Sequence, residues 1–423
     1  MHFVWRGCIG CVVVVCLAGD SFAQTPLTWP EIMARFDMTN PTVQAGQIGV
    51  DESRAAEITA YLRPNPQLSV AADQFPVIGE ATYPLENLTT VASVSYLHER
   101  QHKRELRRDS AQGATAVVAS TQADLVRNLI FTLRAAFVQT LQAKAFQALA
   151  QENLTNYDQV LSLSQDRLQA GDIAQIDLDR LQLQRVQYES DVQTAAVNLR
   201  TAKIQLLRLL NEPTPVDQLD VVGAYDFTPP PQTLATLRQL ALDTRPDLKG
   251  AVQSVDKAIT DHRLALANGS VDPTVGVDVG RQQTPLSTTP ALSAWVGFTV
   301  AVPLRIFDRN QGEQLRTALD ITRNERLLAA MRAQVISDVD AGYATVMSTL
   351  ALLRPYQTTY LAQATHVRDT MTFSYERGGA SLIEFLQSQQ EYRGVQVSYV
   401  NLIASFLNVV NQLNVAIGRE VVP

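Results

Sequence analysis

His98, Glu99 and His102 have the residue types and the spacing of a catalytic metal site. In the pattern His-Glu-x-x-His, a helix would place both imidazoles on one face, where they could bind zinc. The glutamate would then act as the general base of a metalloprotease. The motif therefore raises the hypothesis of a zinc peptidase, in which chelators and His98→Ala would both abolish activity.

The residues around this motif disfavour a metal ion. Arg100 lies between the two histidines, and four further positive charges follow at Lys103, Arg104, Arg107 and Arg108. A zinc site also needs a third ligand, and His262 and His366 are distant in sequence. We predict that the match is accidental, that the protein holds no metal ion or other cofactor, and that it is not an enzyme.

The overall composition and the first residues indicate an exported protein. Among 423 residues, the net charge of -7 disfavours a nucleic-acid partner. Residues 1–23 read as a cleaved signal peptide, with twelve uncharged residues before the small-x-small site Ser21-Phe22-Ala23. All three cysteines lie within it, so we expect a mature chain without disulfides. No later run of 18 apolar residues predicts a transmembrane helix.

Two proline-poor tracts and an internal repeat define the predicted organisation. Proline is absent from 85–212 and nearly absent after 303, which makes these tracts candidates for long helices. Landmarks recur at a separation of 207 residues, as in the pairs Pro66 and Pro273, Leu97 and Leu304, and Gly171 and Gly378. Such spacing predicts a tandem duplication, with repeats at 24–215 and 216–423.

Each repeat is predicted to contain two strands and a long helical hairpin. The first has strands at about 66–75 and 91–99 and a hairpin at about 103–211 that turns at Gly171. The second has strands at about 273–281 and 291–302 and a hairpin at about 312–417 that turns at Gly378. Alternation of apolar residues supports the last strand, at Leu292, Ala294, Val296, Phe298, Val300 and Val302. Pro355 is expected to bend the second hairpin.

The alternating strands favour a membrane barrel that is shared between chains. Four strands cannot close a barrel, and open edges are not tolerated in lipid, so several chains would have to contribute strands. Two alternatives remain open at this point: a solvent-exposed structural coiled coil, and an ordinary small antiparallel sheet in the periplasm. A third, a periplasmic adaptor of an export system, would have one hairpin and an N-terminal membrane tether.

This plan resembles the TolC family of outer-membrane efflux channels. Residues 302–318, VPLRIFDRNQGEQLRTA, are similar to the strand-to-helix signature of its cobalt-zinc-cadmium branch, at Phe307, Asp308, Arg309, Asn310, Gln311 and Gly312. The resemblance implies a mainly α fold with a membrane β-barrel portion: a homotrimer with a 12-stranded barrel in the outer membrane of a Gram-negative bacterium and an α-barrel in the periplasm. It also implies the exit duct of a tripartite efflux system, working with an adaptor protein and an inner-membrane pump of the RND type.

The resemblance also suggests functional residues at the hairpin turns. Glu384 and Asp177 lie six residues after the turn glycines, where the family has an acidic ring at the pore constriction. Three like charges would favour cations and raise one another's pKa. A second acidic position of the family is Gln387 here, and Arg180 in the first repeat, so the ring would be less negative. The expected adaptor-docking tips are Gly171, Asp172, Ile173, Gly378, Gly379 and Ala380.

Around the zinc-like motif, the resemblance suggests a different role for the positive charges. We expect Arg100, Lys103, Arg104, Arg107 and Arg108 to form a basic, solvated collar where outer-membrane lipid headgroups begin. The cargo, small toxic solutes or metal cations, is suggested only by the signature at 302–318, because the chain has no histidine-rich or methionine-rich tract.

Overall fold

The structure is a computed structural model that describes residues 26–73, 88–227, 229, 232–284 and 291–421. The predicted signal peptide at 1–23 lies outside the described residues. Both halves of the chain contain two short helices, two strands and a long hairpin, in that order. The elements of the first half are α1 (Trp29–Thr39), α2 (Pro41–Ala60), β1 (Gln67–Asp73), β2 (Thr89–Leu97), α3 (Lys103–Gln169) and α4 (Gln175–Leu210).

The second half repeats this order with one interruption in its hairpin. Its elements are α5 (Leu234–Thr244), α6 (Pro246–Asn268), β3 (Thr274–Thr284), β4 (Ala291–Ala301), α7 (Gln311–Pro355), α8 (Leu361–Glu376) and α9 (Leu382–Ile417). A π-helical turn, Tyr356–Tyr360, separates α7 from α8. Proline removes one backbone donor and crowds the preceding turn, which explains why the helix is irregular there and why α3, without proline, runs unbroken for 67 residues.

Matching contacts hold the start of each repeat to the end of its own hairpin. The Thr39 hydroxyl donates to the carbonyl oxygen of Leu210 at 2.6 Å, and the Thr244 hydroxyl donates to that of Ile417 at 2.6 Å. The last carbonyls of a helix have no partner within the helix, so these hydroxyls satisfy groups that would otherwise be orphaned. The threonines are 205 residues apart and their acceptors 207, as the predicted duplication requires.

Apolar cores form where the long helices pack on the short ones. In the first half, Phe36 of α1 packs with Leu133, Phe137 and Leu206 of the long hairpin. In the second half, α5 contributes Leu237 to a core built mainly by α7 and α9, including Val339, Val346, Phe406 and Leu413. The helices are thus stabilised by burying one stripe each against a partner, which is how helices of this length remain stable.

Helix α9 is more apolar than the sequence led us to expect. It contains an 18-residue window with mean hydropathy 1.4, long and apolar enough to cross a membrane, and 44% of that window is buried. The expectation concerned uninterrupted apolar runs, of which α9 has none of 18 residues, and core helices of soluble proteins reach the same mean hydropathy. Phe406 and Leu413 of α9 lie in the core against α7, so we interpret α9 as a core helix.

The four strands form one antiparallel sheet in the order β1-β2-β3-β4. Leu68, Val94, Val277 and Phe298 lie opposite one another across it, as do Ser69, Ser93, Asp278 and Gly297 in the neighbouring row. Since successive side chains point to opposite faces, one face is apolar and the other polar. The apolar face is open, with Phe298 84% exposed and Leu68 71% exposed. β1 and β4 each have one edge unpaired within the described residues.

A buried ion pair joins the end of the sheet to the start of α3. The Lys103 ammonium is 2.6 Å from an Asp272 carboxylate oxygen and 3.0 Å from the carbonyl oxygen of Ser270, and its side chain is 4% exposed. Burial acts to raise the pKa of Asp272, but the hydrogen bonds from Lys103 and from the Arg100 amide, together with the charges of Lys103 and Arg305, outweigh it and hold that pKa below the ordinary value. Arg107 is likewise paired with Glu99. The predicted collar is therefore not fully solvated, and for Lys103 the prediction was wrong.

We expect Asp272→Asn to lower the free energy of unfolding by about 3 kcal/mol at pH 7, because it leaves the Lys103 charge buried without its counter-ion. Asp51→Asn, which removes an exposed partner of Arg54, should change it by less than about 0.5 kcal/mol. Because the pKa of Asp272 is depressed in the folded state, its contribution is complete above about pH 4 and is lost as the pH falls further. Denaturant unfolding at pH 7 and pH 3 measures this, and an equal loss at both values would contradict the ion pair.

Candidate functional site at the hairpin tips

Both hairpins turn through a glycine in the left-handed conformation. Gly171 has φ 83° and Gly378 has φ 76°, values that a residue with a Cβ adopts only with strain. After α3, the Asp172 amide donates to the carbonyl oxygen of Arg167 at 2.9 Å. After α8, the Gly379 amide donates to that of Ser374 at 2.7 Å. These bonds close the helix ends and fix the direction of each return helix.

The remaining tip residues lie beside these turns. Gly171, Asp172, Gly378 and Gly379 are exposed, whereas Ile173 and Ala380 are half-buried. Ala380 packs against an apolar cluster directly behind the tips. The structure thus brings the predicted docking residues of both repeats to the ends of the two hairpins.

Glu384 is held by the cap of its own helix. Its carboxylate accepts hydrogen bonds from the Ser381 amide at 2.8 Å and from the Ser381 hydroxyl at 2.9 Å, while its own amide donates to that hydroxyl at 3.3 Å. The backbone bond from Ser381, followed by the hydroxyl bond, lowers the pKa of Glu384. Within one chain this direction is opposite to the one that like-charge repulsion in a ring would produce.

Asp177 occupies the matching place in the first repeat without that cap. It is the third residue of α4, as Glu384 is the third residue of α9, but the residue before α4 is Ala174, which has no hydroxyl. Gln387 is exposed one turn further along α9 and donates to Glu391 at 3.0 Å. The two acidic candidates therefore share a position but differ in how firmly their side chains are held.

Contacts between the two hairpins hold the tips together. An Arg167 guanidinium nitrogen donates to the carbonyl oxygen of Tyr375 at 2.6 Å, and the Tyr375 ring stacks on Phe385 at 4.8 Å between centroids. Further along, Arg393 of α9 forms an ion pair with Asp191 of α4 and lies 4.3 Å from the centroid of the Tyr188 ring. Sequence reasoning did not find these residues, because the contacts between the hairpins, Arg167 with Tyr375 and Arg393 with Asp191, join positions 208 and 202 residues apart.

An open groove of about 1,030 Å³ lies between α4 and α9. Apolar residues at helical spacing remain exposed along it: Ile176 and Leu183 on α4 are 57% and 74% exposed, and Ile383 and Val397 on α9 are 68% and 41% exposed. Seven residues separate the first pair and fourteen the second, the period of a coiled-coil seam. Each helix therefore offers an apolar seam for which the described part of the chain supplies no partner helix.

The signature at 307–312 builds the connection from β4 to α7. The Asp308 carboxylate accepts from the Asn310 amide at 2.8 Å, and the Asn310 side chain donates to the carbonyl oxygen of Ala265 at 2.8 Å. Asn310 has φ 65°, which asparagine tolerates better than most residues. The Gln311 side chain accepts from the Arg309 amide at 2.8 Å. Phe307 is 90% exposed, and a Cβ at Gly312 would meet nothing within 4 Å.

The zinc-like motif does not lie on a helix. His98 follows β2, and its amide donates to the carbonyl oxygen of Pro273 at 2.9 Å. His102 has φ 55° and precedes the first residue of α3. The two imidazoles are therefore not one helical turn apart, as the peptidase arrangement requires. Across the described ranges, no group of three or more His, Cys, Asp or Glu side chains could hold a metal ion.

Comparison with known proteins identifies the family. Residues 237–419 match the family described as outer membrane efflux protein. The cobalt-zinc-cadmium resistance protein CzcC of Cupriavidus metallidurans is 20% identical over 406 residues, which are 94% of this chain and 91% of that protein. Residues 237–419 therefore carry an outer membrane efflux protein domain. The predicted resemblance to the TolC family and its cobalt-zinc-cadmium branch is thereby confirmed.

Solved structures show the same fold as this outer membrane efflux protein. CusC superposes with a TM-score of 0.75 at 17% identity, over 92% of this chain and 91% of the CusC chain. VceC from Vibrio cholerae superposes with a TM-score of 0.73 at 14% identity, over 93% of this chain and 96% of the VceC chain.

Ser381→Ala should speed amide hydrogen exchange in the first turn of α9 roughly fivefold, because it removes the hydroxyl that accepts from Glu384. The reciprocal change Ala174→Ser should slow exchange in the first turn of α4 by a similar factor. In each variant the other hairpin is the internal control. Equal exchange in both first turns of the wild-type protein would contradict the difference in capping.

Proposed function

We propose that three copies of this chain form the exit duct of a tripartite efflux system, which passes solutes from a pump and adaptor to the cell exterior. The observation that carries the proposal is the four-stranded sheet with one exposed apolar face and two unpaired edges. In water such a face would promote aggregation, and in lipid the unpaired edges would leave backbone groups without partners. Pairing β1 of one chain with β4 of the next removes both problems.

The number of strands requires more than one chain, and the resemblance to the TolC family favours three. Single-chain outer-membrane barrels have at least eight strands, so one sheet of four is too small. Three chains of four strands give a barrel of twelve, with the apolar face toward lipid and the row of Ser69, Ser93 and Asp278 toward the lumen. A polar lumen is what an aqueous duct requires.

The exposed seams of the hairpins support the same assembly in the periplasm. Leu183 of α4 lines the groove together with Ile383 and Val397 of α9, and Ile176 is exposed seven residues before Leu183 on α4. Helices of neighbouring chains would bury these seams and continue the barrel as a helical tube. The alternative of a periplasmic adaptor is less well supported, because it leaves the apolar sheet face without a role.

The adaptor would dock at the hairpin tips, at Gly171, Asp172, Ile173, Gly378, Gly379 and Ala380, and an RND-type pump in the inner membrane would supply the cargo. CzcC is by name a cobalt-zinc-cadmium resistance protein. On that similarity we propose metal cations, or other small toxic solutes, as the cargo. The duct itself would act passively, without bond chemistry.

Val70→Arg should prevent accumulation of the trimer in the outer membrane, because it places a charge on the lipid-facing side of β1 at a cost of about 2–4 kcal/mol per chain near the bilayer centre. Ser69→Arg, the matched control on the same strand, points to the lumen and should assemble normally. Membrane fractionation followed by gel analysis of unheated samples measures this. Normal trimer levels for Val70→Arg, or wild-type chains found as soluble periplasmic monomers, would contradict the proposal.

Three copies each of Glu384 and Asp177 would line the narrowest part of the duct, with Gln387 beside them. We expect Glu384→Gln with Asp177→Asn to weaken block by multivalent cations in planar bilayers, because the variant removes the ring charge. Glutamine can keep the cap with Ser381, so this variant isolates charge from helix stability. Ser381→Ala is the converse control, since it loosens the cap and keeps the charge. Block unchanged in the first variant would place the constriction elsewhere.

A further inference from the structure

We propose that a cationic cleft beside the end of β2 binds the phosphate of an anionic phospholipid in the periplasmic leaflet of the outer membrane. This interface cleft has a volume of about 590 Å³ and is lined by Arg63, Tyr96, His98, Arg100, His102 and Arg104, among others. The inference rests on the proposed function, because it requires that β1–β4 cross the outer membrane.

The cleft begins where the apolar face of the sheet ends. Val94 and Tyr96 lie on that face, in register with Val277 and Val275 of β3. His98 lies two residues after Tyr96, so it continues the same row of side chains, and it is the first polar residue beyond Tyr96. Tyrosine at the end of a lipid-facing strand is typical of the membrane interface, where headgroups begin. A phospholipid whose acyl chains cover Val94 and Val277 would therefore hold its phosphate at the cleft.

Uncompensated positive charge remains in the cleft after its internal ion pairs are formed. Lys103 is neutralised by Asp272, and Arg107 by Glu99. Arg104 bonds to Glu105 at 3.0 Å, and its guanidinium carbon lies 4.3 Å from the centroid of the Tyr61 ring, which fixes its position.

Arg63 and Arg100 differ from these residues. Both are exposed, and neither side chain forms an ion pair within the described part of the chain. Two free guanidinium groups at the edge of an apolar surface match a phosphate diester, to which arginine can donate two parallel hydrogen bonds. The first turn of α3 adds the positive end of a 67-residue helix.

The equivalent place in the second repeat has a different character. After β4, the chain exposes Leu304, Ile306 and Phe307, which are 80%, 62% and 90% exposed. Arg305 lies among these apolar residues, and its charge lowers the pKa of Asp272. We therefore place the headgroup at the cleft beside β2, and a lipid is favoured over free phosphate because the cleft opens directly onto the apolar face.

Native mass spectrometry of the intact complex, titrated with phosphatidylglycerol or with phosphatidylcholine, tests this site. We expect Arg63→Gln with Arg100→Gln to weaken phosphatidylglycerol binding about 30-fold, from the effect of two arginines near a membrane surface. The matched control is Arg326→Gln with Arg332→Gln, which removes the same charge from exposed positions on α7 and should leave binding unchanged. The wild-type complex should bind phosphatidylcholine much more weakly.

Three results would overturn the proposal: equal phosphatidylglycerol affinity in the two double variants, equal affinity for the two lipids, or complete displacement of the lipid by millimolar inorganic phosphate, which would indicate a free-anion site. If the first double variant does not assemble, Arg100→Gln alone should weaken binding about fivefold, and no change would again overturn it. The mass of the wild-type complex and its channel conductance report on the proposed function separately.

Discussion

Backbone hydrogen bonding at the edges of the sheet is the constraint on which the rest of this structure depends. Every amide and carbonyl in a bilayer must find a partner within the protein, and among the residues that the structure describes one edge of β1 and one edge of β4 have none. The apolar face is equally unsuited to water. Association of chains side by side satisfies both requirements, and it also accounts for the exposed seams on α4 and α9.

The duplication supplies two copies of each element, and the copies differ where they meet other molecules. The two repeats are alike where the hairpin ends pack within the chain, as in the hydrogen bonds of Thr39 and Thr244. The tips differ in capping, with Ser381 in one copy and Ala174 in the other. The strand-to-helix connections differ more: the one after β2 lines a cleft with Arg100, whereas the one after β4 exposes apolar residues around Arg305. Each chain thus places unlike surfaces around the membrane interface and around the periplasmic opening.

The sequence predicted most of the elements, because their signals are local. Alternation of apolar and polar residues predicted β4. Helices commonly end at a glycine with positive φ, so glycine alone was enough to predict the turns at 171 and 378. The start of α2 has a local signal of the same kind, a capping residue followed by proline at the first helical position, and the Asn40 side chain accepts from the Thr42 amide at 2.9 Å.

Contacts between distant segments were beyond the sequence. The burial of Lys103 against Asp272 and the pairing of Arg393 with Asp191 join residues about 170 and 200 positions apart, which no spacing rule reveals. The same limitation led to the prediction of a uniform solvated collar, although four of its five residues, all except Arg100, are paired with carboxylates. The roles of Glu384 and Asp177 stay predictions, since a ring exists only when chains assemble.

Electron cryomicroscopy of the protein in lipid nanodiscs tests the central claim most directly, because it visualises the edges of the sheet in a lipid bilayer. We predict threefold symmetry, with β1 of each chain hydrogen-bonded to β4 of the next and the row from Leu68 to Phe298 facing lipid. A particle in which both edges are covered within one chain, or in which the sheet lies outside the bilayer, would contradict the account.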